Sequence, residues 1–187
     1  NFDYLVVFDS DGVSNLMNYS KLKKAINIKK NWVGQFANQL LFYYDIYALR
    51  AKDWVEYDCL VEKNKTLSLT KNPRYSFKNS ISKKMIRIKK NTNLINVESA
   101  FGGFAIYKIN CINDAKYIGQ INGNSICEHI SFNQDLISKN GNLLFINPKL
   151  INSFGINEHT IKSKFLTLLP ETVFNFIYKN YSRVYKN

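Results

Sequence analysis

The apolar run Leu5-Val6-Val7-Phe8 gives way at once to Asp9-Ser10-Asp11-Gly12-Val13, two carboxylates one residue apart and then a glycine. A short apolar run bounded by a turn signal predicts a buried strand of an α/β sheet. The turn after it sets Asp9 and Asp11 at the strand's carboxyl end, where open sheets place their ligands. Beyond it, residues 19–28 predict a short helix capped by Ser20. Residues 36–54 carry Phe36, Leu40, Tyr43, Tyr44, Tyr47 and Ala51 at three- and four-residue spacing, which predicts a long amphipathic helix with a core-facing tyrosine face.

Periodicity fades over residues 56–92, where Asn, Lys and Ser accumulate around Pro73; a variable loop region with a short basic helix or strand at 83–90 is expected. Order returns at Phe101-Gly102-Gly103-Phe104-Ala105-Ile106-Tyr107-Lys108. A glycine pair there predicts a loop where backbone approaches a ligand, feeding a buried strand. A short helix over 110–119, a helix through Gln134 to Lys139 stopped by Gly141, and a strand Leu143–Ile146 ended by Asn147-Pro148 follow. Residues 154–160 form a loop carrying His159, and 165–187 an aromatic, basic tail. Short buried strands interspersed with helices predict an α/β domain over 1–164, with 165–187 as its C-terminal tail.

Composition narrows the function classes. At 187 residues, with 45% hydrophobic and 21% charged residues, the chain suits one globular domain. No apolar run is long enough to span a membrane. Cys59, Cys111 and Cys127 show no CxxC spacing, so reduced thiols in a cytosolic protein are expected. The net charge of +12 attracts phosphates of any kind, but neither zinc-finger spacing nor an aromatic RNP-type sequence accompanies it, and nucleic acid is not the expected partner.

Asp9 and Asp11 admit two chemistries. As paired oxygen ligands they suit Mn²⁺ or Mg²⁺, which bridges carboxylates to a diphosphate. As a nucleophile and its acid–base partner they suit phosphoryl transfer, and Phe8–Val13 is similar to the first motif of the haloacid dehalogenase-like hydrolases. Such enzymes also need an acidic pair at a later strand end. The later carboxylates Asp114, Glu128, Asp135, Glu158 and Glu171 are not adjacent to one another, and none closes an apolar strand.

The order of the downstream motifs decides between them. A DxD strand, then Gly102-Gly103 leading a strand to Tyr107, then Glu128-His129 ahead of Leu136, Gly141, Leu143–Ile146 and Pro148, then His159, resembles the GT-A glycosyltransferases, in particular a family-2-like member from its DxD strand onward. The resemblance covers residues 4–162 and implies a mixed sheet flanked by helices, with the N-terminal nucleotide-binding half missing ahead of Asn1. It implies a metal held by Asp9, Asp11 and His159, and donor contacts from Asp9, Gly102, Gly103 and Lys162. The implied reaction is inverting sugar transfer from a nucleotide-sugar to a glycan or lipid-linked hydroxyl. The family has an aspartate as general base where this chain has His129, which leaves Glu128 first and His129 second for that role. The tail, on this reading, touches an anionic membrane surface from the cytoplasmic side.

Overall fold

A computed structural model describes residues 2–121, 123–156, 160 and 164–184. It is an α/β structure built on a mixed five-stranded sheet. The strands are β1 (Tyr4–Phe8), β2 (Gly34–Gln39), β3 (Ile95–Asn96), β4 (Phe104–Lys108) and β7 (Leu144–Ser153), in the order β1-β4-β2-β7-β3. The short strands β5 (Gln120–Ile121) and β6 (Asn124–Ser125) form a separate hairpin. β2 and β7 run parallel, while β1–β4, β4–β2 and β7–β3 pair antiparallel. The carboxyl ends of β1, β2 and β7 therefore meet the amino end of β4 at one edge of the sheet. Asp9, Gly102-Gly103 and the chain leaving Gln39 all gather there.

The helices are α1 (Tyr19–Ile26), α2 (Cys59–Thr70), α3 (Pro73–Ser80), α4 (Glu128–Asn140) and α5 (Glu171–Val184). Each sheet face buries its own apolar cluster. One joins Ala25, Trp32, Ile106, Phe145 and Leu150 beneath α1. The larger, on the other face, includes Phe36, Tyr43, Leu49, Leu136 and Ile146. Trp32 is core, stacked on Tyr4 at 5.9 Å.

The α/β expectation holds, and several local expectations do not. Residues 36–54 are no helix. Gly34–Gln39 is the strand β2, all six residues buried, and the chain then turns through residues 40–49. Its polar members are consumed internally. Gln35 Nε2 donates to Ala25 O (2.9 Å), Asn38 Nδ2 to Ile88 O and Pro148 O (3.1 Å each), and Gln39 Nε2 to Gly102 O (2.9 Å). Buried amides that bond backbone mimic the polar face of a helix in sequence.

β1 is an edge strand, with Leu5 and Phe8 exposed, because only β4 pairs with it among the described residues. Residues 59–80, expected as loop, form α2 and α3. Asp58 caps the first, accepting from Leu60 N and Val61 N, and Asn72 caps the second with Pro73 opening it. Only Ser82–Lys84 is helical, as one 3₁₀ turn, within the basic stretch 83–90. Asn18, not Ser20, caps α1. The helix expected over 110–119 shrinks to a 3₁₀ turn at Ile109–Cys111. β7 runs on through Pro148, because the β2–β7 register shifts there and the Asn38 amide, not a ladder bond, holds Pro148 O. α4 stops at Gly141 as the sequence implies.

Candidate active site

The glycine loop is the geometric centre of this sheet edge. Gly103 has φ +77°, and a Cβ there would lie 2.5 Å from the Tyr44 hydroxyl and 2.6 Å from Val13 Cγ2. Its carbonyl accepts from Asp9 N (3.1 Å) and Ser14 Oγ (3.0 Å), which pins the acidic turn to the loop. Gly102 has φ +66°. Its N–H donates to Asp45 Oδ2 (2.9 Å), and its carbonyl accepts from Gln39 Nε2 (2.9 Å) and Asn152 Nδ2 (2.7 Å). The loop thus ties the ends of β1, β2 and β7 together through side-chain amides and backbone.

α4 delivers Glu128 and His129 to the same place. Asn133, fully buried, accepts from the Tyr107 hydroxyl (3.2 Å) and donates to Ser99 Oγ (3.0 Å) and Ala100 O (3.2 Å), fastening the helix to β4 and to the chain entering the glycine loop. His129 stacks on Phe101, ring centroids 3.8 Å apart, with the Tyr117 hydroxyl 3.0 Å from Nε2. Tyr117 is held there because Lys116 N donates to Asp135 Oδ2 (2.9 Å) and Ile118 N to Ser131 Oγ (3.0 Å), both acceptors on α4.

Asp9, Asp45, Glu128 and His129 line one cavity of about 440 Å³, walled by Tyr44 and Phe101. Four sequence-named residues lie together, Asp9, Glu128 and His129 on its wall and Gly103 bonded to Asp9; Gly102 joins them through Asp45. Asp11 is exposed two residues on, its Oδ1 accepting from Val13 N (3.3 Å). His159 and Lys162 lie outside the described residues.

Asp45 and Tyr44 are the residues that sequence reasoning missed. The sequence reading puts Tyr44 on the core-facing side of a helix and gives Asp45 no role, whereas the turn after β2 carries both to the glycine loop. The signal available was a lone carboxylate inside the aromatic run Phe42-Tyr43-Tyr44-Asp45.

Electrostatics follow from burial and crowded carboxylates. The Tyr44 hydroxyl is held well above its ordinary range by burial and then by Asp45, Asp9 and Asp11, so it stays a neutral hydrogen-bonding group. Burial pushes the Cys59 and Cys127 thiols up to about 12, which removes both as nucleophiles. His129 is shifted down by burial, opposed by Asp45 and Glu128.

A histidine whose folded pKa lies below its ordinary 6.5 leaves the unfolded chain binding more protons, so stability is full above that value and falls as pH drops below it. The slope from this residue is at most about 1.4 kcal/mol per pH unit. Urea midpoints taken from pH 7.5 down to 5.5 should show this decline, and His129→Asn should flatten it, with pH limits set around the ordinary value of about 6.5.

Carboxylate oxygens are the donors that Mg²⁺ and Mn²⁺ prefer, and Asp9 and Asp11 supply them at a solvent-open strand end. Asp45 already accepts two backbone N–H groups, from Gly102 and from Ala48 (3.3 Å). Among the described residues no three His, Cys, Asp or Glu side chains converge as a metal site, and the third expected ligand is His159. No protein-family model, curated protein or solved structure matches the chain, so its chemistry rests on the geometry of its own side chains.

Proposed function

We propose that the chain carries the catalytic centre of a metal-dependent, GT-A-like glycosyltransferase that moves a sugar from a nucleotide-sugar to a hydroxyl of a glycan or lipid-linked acceptor, with inversion. The observation that carries this reading is the shared cavity. A carboxylate at the end of β1 and another at the start of α4 face one space across a glycine loop that allows close backbone approach.

Glu128 opens α4 within the cavity wall, where its carboxylate can take the proton from an acceptor hydroxyl as that oxygen bonds to the anomeric carbon. The bond from that carbon to the diphosphate oxygen breaks on the opposite side, and the electron pair leaves with the nucleoside diphosphate. Asp9, Asp11 and His159 would hold Mn²⁺ or Mg²⁺, whose contribution when bound is to neutralise the departing diphosphate. Phe101 with His129 forms a flat wall of the cavity against which a sugar ring can lie. His129 is buried and stacked on Phe101, so it serves as that wall and leaves the base to Glu128.

The haloacid dehalogenase-like alternative gains nothing from the geometry. The carboxylates that line the cavity with Asp9 are Asp45, tied to backbone N–H groups, and Glu128 at a helix start, not an acidic pair closing a strand.

Nucleoside-diphosphate release from a panel of nucleotide-sugars, followed with and without Mn²⁺, tests the proposal. Asp11→Ala should weaken Mn²⁺ binding and reduce release by about 10²-fold or more. Absence of turnover together with unchanged Mn²⁺ affinity in that variant would refute it.

A further inference from the structure

On the other side of the molecule a second cavity, of about 690 Å³, opens between α1 and residues 90–94, floored by residues 147–150 of β7. None of its lining residues is shared with the carboxylate cavity. Four lysines line it, Lys21, Lys24, Lys90 and Lys149, and no aspartate or glutamate does. Among the described residues the ion pair formed is Arg50–Asp58 (3.0 Å), remote from these ammonium groups, so no carboxylate offsets them.

Lys30, Lys84, Lys108 and Lys164 lie over aromatic rings at 4.1–5.8 Å, a use that needs no anion. In the cleft, Lys21 Nζ is fixed by main-chain carbonyls, donating to Leu16 O (2.5 Å) and Ile151 O (2.9 Å). Burial and the Lys90 ammonium both press its pKa down, which reports like charges held near one another. Like charges gathered on a concave wall focus a positive potential into it, and the arrangement is relieved by an anion seated between them.

We propose that this cleft binds a phosphoryl or pyrophosphoryl group, engaged by the ammonium groups of Lys24, Lys90 and Lys149 with Lys21 at its edge. The neutral donors beside them, Ser20 and Thr92 hydroxyls and the Asn93 amide, complete a set suited to phosphate oxygens. The volume admits a phosphorylated molecule of nucleotide or sugar-phosphate size, and equally a phospholipid headgroup presented at the cleft mouth. The site stands apart from the glycosyltransferase reading and does not depend on it.

Calorimetric titration with inorganic pyrophosphate, in metal-free buffer at physiological ionic strength, tests the site on the whole chain. Sedimentation with phosphatidylcholine vesicles containing phosphatidic acid tests the lipid-borne source. Binding in either arm should weaken at least about tenfold in Lys24→Gln/Lys149→Gln, both exposed positions. It should survive in Lys52→Gln/Lys65→Gln, which removes the same charge from exposed positions elsewhere. Pyrophosphate binding with this pattern assigns the site to soluble phosphates, and vesicle binding with it assigns the site to a headgroup. No binding in either arm, or equal loss in both double variants, overturns the proposal.

Discussion

Glu128→Gln should abolish sugar transfer while leaving the fold intact. The substitution keeps the side chain's shape and removes only its ability to take a proton. General-base assistance is worth about 10²–10⁴-fold, and the loss should fall on kcat because donor contacts come from other residues. Glu128 sits in the first turn of α4, so its charge also favours the helix dipole. That contribution is at most about 1 kcal/mol at an accessible site, too little to unfold a helix pinned by Asn133 and Ser131. Circular dichroism and a urea midpoint close to the wild type's would accompany the kinetic collapse. His129→Asn should show a milder defect expressed mainly in KM, since the ring packs on Phe101 at 3.8 Å and stands in the cavity wall.

Gly103→Ala should be strongly destabilising for the addition of a single methyl. The residue occupies the left-handed region, where a Cβ costs about 1–2 kcal/mol. The new methyl would also stand 2.5 Å from the Tyr44 hydroxyl and 2.6 Å from Val13 Cγ2, both buried, and such overpacking costs about 1–3 kcal/mol more. A total of about 2–5 kcal/mol should appear as a lowered urea midpoint. The displaced loop would carry with it the carbonyl that holds Asp9 N and Ser14 Oγ, so activity should fall even at temperatures where the variant is folded. Gly141→Ala makes the internal control. Its φ is also positive, at +74°, but nothing lies within 4 Å of the added carbon, so the cost there should be the backbone strain alone.

The contrast between what was readable and what was not has a physical origin. Gly102-Gly103 reads in sequence as backbone approaching a ligand; the close approach in the structure is to the protein's own Ala37 O, Tyr44 and Val13, between which only an absent side chain fits. Gly141 announced the end of α4 for the same kind of local reason. Local signals survive folding when the constraint they encode is itself local. The stretch 36–54 misleads because Asn38 and Gln39 are buried and bonded to backbone from three other segments, a requirement no window of sequence can display. Reading it as a helix also hid Asp45, whose partner Gly102 is 57 positions away. The apolar run of β1 suggested burial, yet its pairing partner lies on one side only among the described residues. Sequence order puts Glu128 downstream of the glycine loop. It could not show that Asn133, one turn further on, is the residue fastening α4 to the chain entering that loop.

The proposal that Asp9, Asp11 and Glu128 serve sugar transfer from a nucleotide donor is tested by incubating the protein with radiolabelled nucleotide-sugars, Mn²⁺ and glycan or lipid-linked acceptors, and following labelled product and nucleoside diphosphate together. Equimolar formation of both is expected, dependent on Mn²⁺ and lost in Glu128→Gln. Trapping of a phosphoryl or BeF₃⁻ adduct on Asp9, with phosphate release and no labelled glycan, would contradict it.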